Sequence, residues 1–302
     1  MSALTPHGPA WVTVRLHGRA LWTVPVLLVL AFGPLFYLWW RAAPGYGDLL
    51  AAGCSLDGDT TVSCMNRADD YRAVQGRFTY AFQLVGLLPP LLPMIVGSFV
   101  AGPVIARELE YGTHRLAWTQ SVSPARWLLA RLALPTAWTV LGTMAFVALY
   151  RWTWTSGPFH GDEAYWYENF SFYGLGPVLV GYVVLAIASG ALIGLLTRGV
   201  VAAMAVTSAA MTVTVLAFGI KLRGYLMPVT RETALGALPD SGWVVDWVED
   251  AVPSELPVST TFYGYHPASH FWPLQFIETG ILLALAALAL ALAFRTLRRL
   301  HA

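Results

Sequence analysis

Residues 281–293 read I-L-L-A-L-A-A-L-A-L-A-L-A, an apolar run without a single polar side chain. A strand of a transmembrane barrel spans roughly 10 residues and alternates in polarity, and this run does neither. An α-helix rises about 1.5 Å per residue, so crossing a hydrocarbon layer about 30 Å thick takes about 20 apolar residues. With its flanks the run has that length, and R-T-L-R-R at 295–299 ends it in charge. The stretch is a membrane-spanning helix, and the rest of the chain can be read from it.

Five more blocks have the same character. The six fall at about 20–40, 80–106, 127–150, 175–196, 199–220 and 274–294. Over the 302 residues, 57% are hydrophobic and 12% charged, against roughly 45–50% and 25% in soluble domains, and the mean hydropathy is +0.58. Backbone polar groups in lipid must be satisfied within the segment, so every block is expected to be helical. The expected fold class is an all-α integral membrane protein with six transmembrane helices in one domain, 1–302. The first block is too long for a signal-peptide core and is read as retained.

With the N-terminus placed inside, the interior stretches carry ten arginines against Glu108 and Glu110, and the exterior stretches eight basic residues against fourteen acids. The excess lies in short inner loops beside membrane ends, which favours both termini in the cytoplasm. The outer loops are then 41–79, 151–174 and 221–273, and 107–126 is an inner connection.

The outer loops differ in chemistry. The first contains the only two cysteines, Cys54 and Cys64, in C-S-L-D-G-D-T-T-V-S-C. On an oxidising face the pair reads as a disulfide, because two thiols without nearby histidine leave a metal site incomplete. The second is dense in aromatics and acids (D-E-A-Y-W-Y-E-N-F), which fits interface anchors or a substrate-contacting surface. In the third, Trp243/Trp247 and Val244/Val248 recur at i, i+4, so a short amphipathic helix is expected, either as an outer lid or lying at the headgroups. Blocks four and five are separated by T-R-G alone and form a tight hairpin. Residues 11–19 suit an interfacial helix or a frayed tail with flanking charge.

The chemistry-bearing motifs are mostly absent. A phosphate-cradling loop needs lysine followed by a hydroxyl residue, whereas the only lysine, Lys221, precedes Leu222. His266 and His270 have the spacing of a helical metal pair, but Pro267 lies between them, no glutamate completes H-E-x-x-H and a third ligand is not evident. Glu278 stands near the outer end of the last span, where it either lines a translocation path or sits at the headgroup boundary.

The polar interval R-E-L-E-Y-G-T-H-R-L-A-W-T-Q-S-V-S-P-A-R-W, residues 107–127, separates the second span from the third. Gly112 is a natural C′ residue ending one helix, and Thr113 can cap a short transverse helix at about 114–121. Ser123 and Pro124 form an N-cap and N1 pair that opens the next span.

This interval resembles the inner loop between spans two and three of ABC-2 type transporter permeases, particularly those of high-GC actinobacteria. The family pattern, R/E-x-E-x-G-T, a short helix and then [PS]-V-S-x-x-R/K, is matched by Arg107, Glu108, Glu110, Gly112, Thr113, Ser121, Val122, Ser123 and Arg126. The motif covers about 25 residues, and six spans, interior termini, the tight hairpin and the long last outer loop extend the likeness to nearly the whole chain.

The resemblance implies the ABC-2, type V exporter-like permease fold in a bacterial plasma membrane. It also implies a non-catalytic subunit of an ATP-driven exporter working by alternating access. A separate P-loop ATPase would supply ATP and Mg, a second permease copy would complete the dimer, and no cofactor would be held by this chain. The transverse helix becomes the coupling helix, with Glu108, Glu110, Gly112, Thr113, His114, Arg115, Trp118, Thr119, Gln120 and Arg126 as the docking segment. Trp-Thr-Gln stands where the family usually has aliphatic residues, which leaves open the face that docks. The readings from other classes are a membrane-surface or intramembrane enzyme, a protease or lipid-modifying transferase, using outer acids and the histidine pair, and a non-catalytic scaffold.

Overall fold

The computed structural model describes residues 18–56, 61–113, 123–158, 165–233, 242–248 and 262–301. Six of its helices are long and apolar enough to cross a membrane. The chain divides into two compact units, Met1–Val74 and Gln75–Ala302.

The first unit contains α1, Gly18–Ala51, and the start of α2, Val62–Gly86. Both helices run well into the stretch 41–79 that the sequence suggests as an outer loop. Their polar composition there disguises them, since D-D-Y-R and R-A-A-P-G break the apolar signal without breaking the helix. Gly53, at φ +71°, stops α1. Its amide reaches Leu50 O and the Cys54 amide reaches Leu49 O, the two bonds of a Schellman cap. The Cys54–Cys64 disulfide then joins the two helices, and Leu49, Ala68 and Tyr71 pack around it.

The second unit is built around α7, Val178–Thr197, which is apolar on every side and buried along most of its length. A helix with no polar face has to be central. The long second span reaches it in pieces: the end of α2, then α3 (Leu88–Val96), a π-helical turn (Gly97–Ala101) and α4 (Gly102–Glu110). Around them stand α5 (Pro124–Ser156), α6 (Asn169–Gly174), α8 (Val200–Ala217) and α9 (Phe271–His301).

Small residues set the closest crossing. A Cβ added at Gly190 would lie 2.9 Å from both Gly97 O and Ala101 Cβ, and one at Gly194 would lie 2.9 Å from Gly102 O. Within lipid, apolar burial gives helices no driving force toward one another, so association rests on this backbone approach. At the far end of α7, Arg198 takes the left-handed conformation (φ 52°) and turns the chain directly into α8, the hairpin that T-R-G implies.

Past α8 the chain stays helical through a π-turn, Phe218–Leu222, and a 3-10 turn, Arg223–Tyr225. Strands β1 (Thr230–Thr233), β2 (Trp243–Val248) and β3 (Phe262–His266) follow, forming an antiparallel sheet in the order β1-β3-β2. Residues 243–248 are thus a strand and not the amphipathic helix that their i, i+4 pattern suggests. The β-branched valines of W-V-V-D-W-V favour extended backbone once β3 offers a ladder, and a bulge at Val244/Asp246 adjusts the register.

The glycine crossing gives the first prediction. Gly190→Leu forces atoms into backbone 2.9 Å away, and is expected to abolish monodisperse elution of the purified chain. Gly280→Leu, where nothing lies within 4 Å of an added Cβ, is expected to elute as the parent does.

Candidate functional site

At the end of the bundle formed by residues 107–113, 123–131 and 197–200, two acids hold three spans together. Glu108 Oε1 pairs with Arg131 Nε of α5 at 2.7 Å, and its Oε2 accepts from Trp127 Nε1 at 2.9 Å. Glu110 Oε2 accepts from the Val200 amide at 2.8 Å, satisfying one of the orphan donors that open α8. A carboxylate also suits the positive end of that helix.

The helix stop at Gly112 and the helix start at Ser123 have the geometry their residues imply. Gly112 has φ +71° with its amide on Leu109 O, and the Thr113 hydroxyl donates to Glu108 O at 3.4 Å. Ser123 is extended (ψ 142°), and its hydroxyl accepts from the Arg126 amide at the head of α5. Of the expected docking residues, Glu108 and Glu110 bond to neighbouring spans, Gly112 and Thr113 follow the end of α4, and Arg126 lies in the first turn of α5. His114, Arg115, Trp118, Thr119 and Gln120 lie outside the described residues.

The opposite end is organised by a buried ion pair. Glu278 of α9 is wholly buried, with both oxygens bonded: Oε2 to Arg223 Nε at 2.8 Å, and Oε1 to Arg223 Nη2 at 3.0 Å and the Tyr182 hydroxyl at 2.7 Å. The fork-to-fork geometry uses the planar match of guanidinium and carboxylate. The rings of Phe172 and Tyr173 lie against the cation, with centroids 4.0 and 4.4 Å from its central carbon. Glu278 is therefore enclosed by protein side chains, with both carboxylate oxygens occupied.

One turn earlier on α9, buried Gln275 donates to Phe172 O at 2.7 Å and accepts from the Val178 amide at 3.1 Å, closing the start of α7. Tyr173 donates to Val215 O across to α8.

Above this layer His266 is wholly buried. Its Nε2 donates to Gly224 O at 3.0 Å, which leaves Nδ1 to accept from His270 Nδ1, also at 3.0 Å. The pair is thus consumed by hydrogen bonding, and no group of three metal-capable side chains occurs among the described residues. Burial, seconded by His270, holds the His266 imidazole below the ordinary histidine range, partly opposed by the bond to Gly224.

Sequence reasoning misses Arg223, Tyr182 and Gln275. Arg223 looks like a loop charge because the hydropathy falls at K-L-R-G, although the helix continues through it. The available signal is that an acid inside a span needs a cation, and that Gln275 and Glu278 share one face of α9 at i, i+3.

Six apolar helices, with ionisable groups spent on tying them together, define a multi-pass membrane protein. The chain belongs to the ABC-2 membrane transporter related family, whose family model matches residues 23–223. It is the permease component of an ABC transporter, and membership implies an ABC ATPase as partner. No curated protein and no solved structure matches the chain.

Two outcomes follow. Glu278→Leu leaves the arginine buried and unpaired, and is expected to destabilise by about 3–5 kcal/mol. Glu278→Leu with Arg223→Met should recover much of that loss in thermal unfolding of the detergent-solubilised chain. Because His266 has a lower proton affinity folded than unfolded, its contribution is complete above the ordinary value of 6.5 and is lost as pH falls from there toward the folded value. His266→Asn should flatten the melting temperature between about pH 7.5 and 5, while the parent falls.

Proposed function

We propose that the chain is the membrane subunit of an ATP-driven exporter in a bacterial plasma membrane, with both termini cytoplasmic. In this reading it works as a pair of permease copies on a pair of ATPase subunits, and residues 107–126 form the docking segment. The carrying observation is how that segment is mounted. It leaves α4 at Gly112 and enters α5 at Ser123, and the acids just before it reach α5 and α8 through Arg131, Trp127 and the Val200 amide. A force applied to the segment is delivered to three spans at once.

The chemistry of the step belongs to the partner, where ATP and Mg are bound. Closure of the ATPase pair pushes the segment, and the spans reorient to present the cargo site to the other face. Glu108 and Glu110 act as the mounts of this lever, and Trp118, Thr119 and Gln120 as its contact with the motor. The ten interior arginines against two interior acids support the orientation.

Trp118→Ala should lose the ATPase on co-purification, or keep it with cargo-stimulated ATP hydrolysis lost, while eluting as an intact bundle. Full co-purification with full stimulated turnover would overturn the docking assignment. Purified chain that turned over a peptide or lipid substrate without any partner would favour the membrane-enzyme reading instead.

A further inference from the structure

A cavity of about 630 Å³ opens beside the second span at the end of the bundle that holds the ion pair. Its volume falls within the range of roughly 300–1,000 Å³ in which small-molecule sites occur. Tyr80, Leu84 and Leu87 form one wall, and Tyr150, Glu168 and Phe170 face them.

Two features separate it from an ordinary gap between helices. Tyr150 is wholly buried, yet its hydroxyl makes no hydrogen bond of ordinary geometry among the described residues, Ser171 being its hydroxyl neighbour. The ring is fixed in place. It stacks on Phe82 at 4.4 Å and Phe146 at 5.8 Å, and it fills the space over Gly86 and Gly174, where an added Cβ would approach within 2.8 and 2.6 Å. A phenol ring, with the Ser171 hydroxyl beside its own, is thereby held rigidly at the cavity wall.

The second feature is Glu168. It is half-buried, forms no ion pair with a described residue, and is the only charged group among the described lining residues. Burial lifts its carboxyl above the ordinary range, a cost that a bound cation would remove.

We infer that this cavity is a binding site for a lipophilic cation, of the amphiphilic-amine or quaternary-ammonium class. Glu168 supplies the counter-charge, the rings of Tyr80 and Phe170 offer faces to the cation, and Leu84 and Leu87 take its apolar part. Aromatic faces with one carboxylate recognise positive charge that carries little hydration. Binding follows from this chain alone, while the further statement that the ligand is cargo rests on the exporter reading above.

Tetraphenylphosphonium and tetraphenylborate share a shape and differ in the sign of their charge. Equilibrium dialysis against the full chain in phosphatidylcholine nanodiscs, with empty nanodiscs subtracted, should show saturable phosphonium binding and no matching borate binding. Glu168→Gln, isosteric at a partly exposed site, should weaken the phosphonium about tenfold and erase the discrimination by charge. Leu84→Trp should remove binding by filling the cavity. Equal binding of the two ions, unchanged phosphonium affinity in Glu168→Gln, or no saturable binding above empty nanodiscs would each overturn the site. Trp118→Ala should bind the phosphonium as the parent does, so failure of the docking assignment and failure of this site are read separately.

Discussion

A carboxylate inside an apolar bundle is tolerated only where a cation meets it, and much of the second unit is arranged around that meeting. Glu278 arrives on α9, Arg223 on the extended end of α8, and Tyr182 on α7, so three spans converge on one pair of oxygens. The helix of α8 has to run on to Tyr225 for the guanidinium to reach inward. Phe172 and Tyr173 have to lie against that guanidinium, which ties the segment carrying them to the ion pair. Gln275, a turn away, fixes the same segment through Phe172 O and fastens the start of α7. The net stabilisation from such a pair is small, because desolvation offsets most of the attraction, but the geometry it demands is specific.

The other end of the bundle uses the same resource differently. Glu108 and Glu110 are partly accessible and satisfy a mixture of one cation, one indole and one helix amide. Bonds of that kind are directional without being sealed, which suits a mount more than a core. Between the two ends the helices touch through glycine, where Gly190 and Gly194 meet the backbone at Gly97–Gly102. Polar fasteners at both ends and bare backbone in the middle satisfy the requirement that lipid supplies no hydrogen bonds.

The spans and the helix stops were legible because each has a local cause. Uninterrupted apolar blocks gave α7 and α9, the left-handed preference of glycine gave the end of α4, and Ser-Pro gave the start of α5. The strands that follow α8 were not legible. W-V-V-D-W-V carries a helical spacing, but β3 lies some fifteen residues further on in sequence and supplies the ladder that decides the matter. Likewise, Arg223 and Glu278 are 55 positions apart, and hydropathy alone pairs nothing across such a distance. The fixed seat of Tyr150 had no sequence signal, since it depends on two glycines that leave the ring no other place.

The bridge between Cys54 and Cys64 bears on how the chain is made. Its sequence separation is 10 and the unit that contains it closes at Val74, so no residue of the second unit is needed to bring the thiols together. At roughly 5–20 residues per second, synthesis of residues 75–302 takes about 10–45 s. Thiol oxidation assisted by an isomerase begins on the scale of seconds. The first hairpin can thus be cross-linked on the ribosome's clock, before the glycine-lined helices exist, and later spans are added to a chain whose unfolded ensemble is already restricted there.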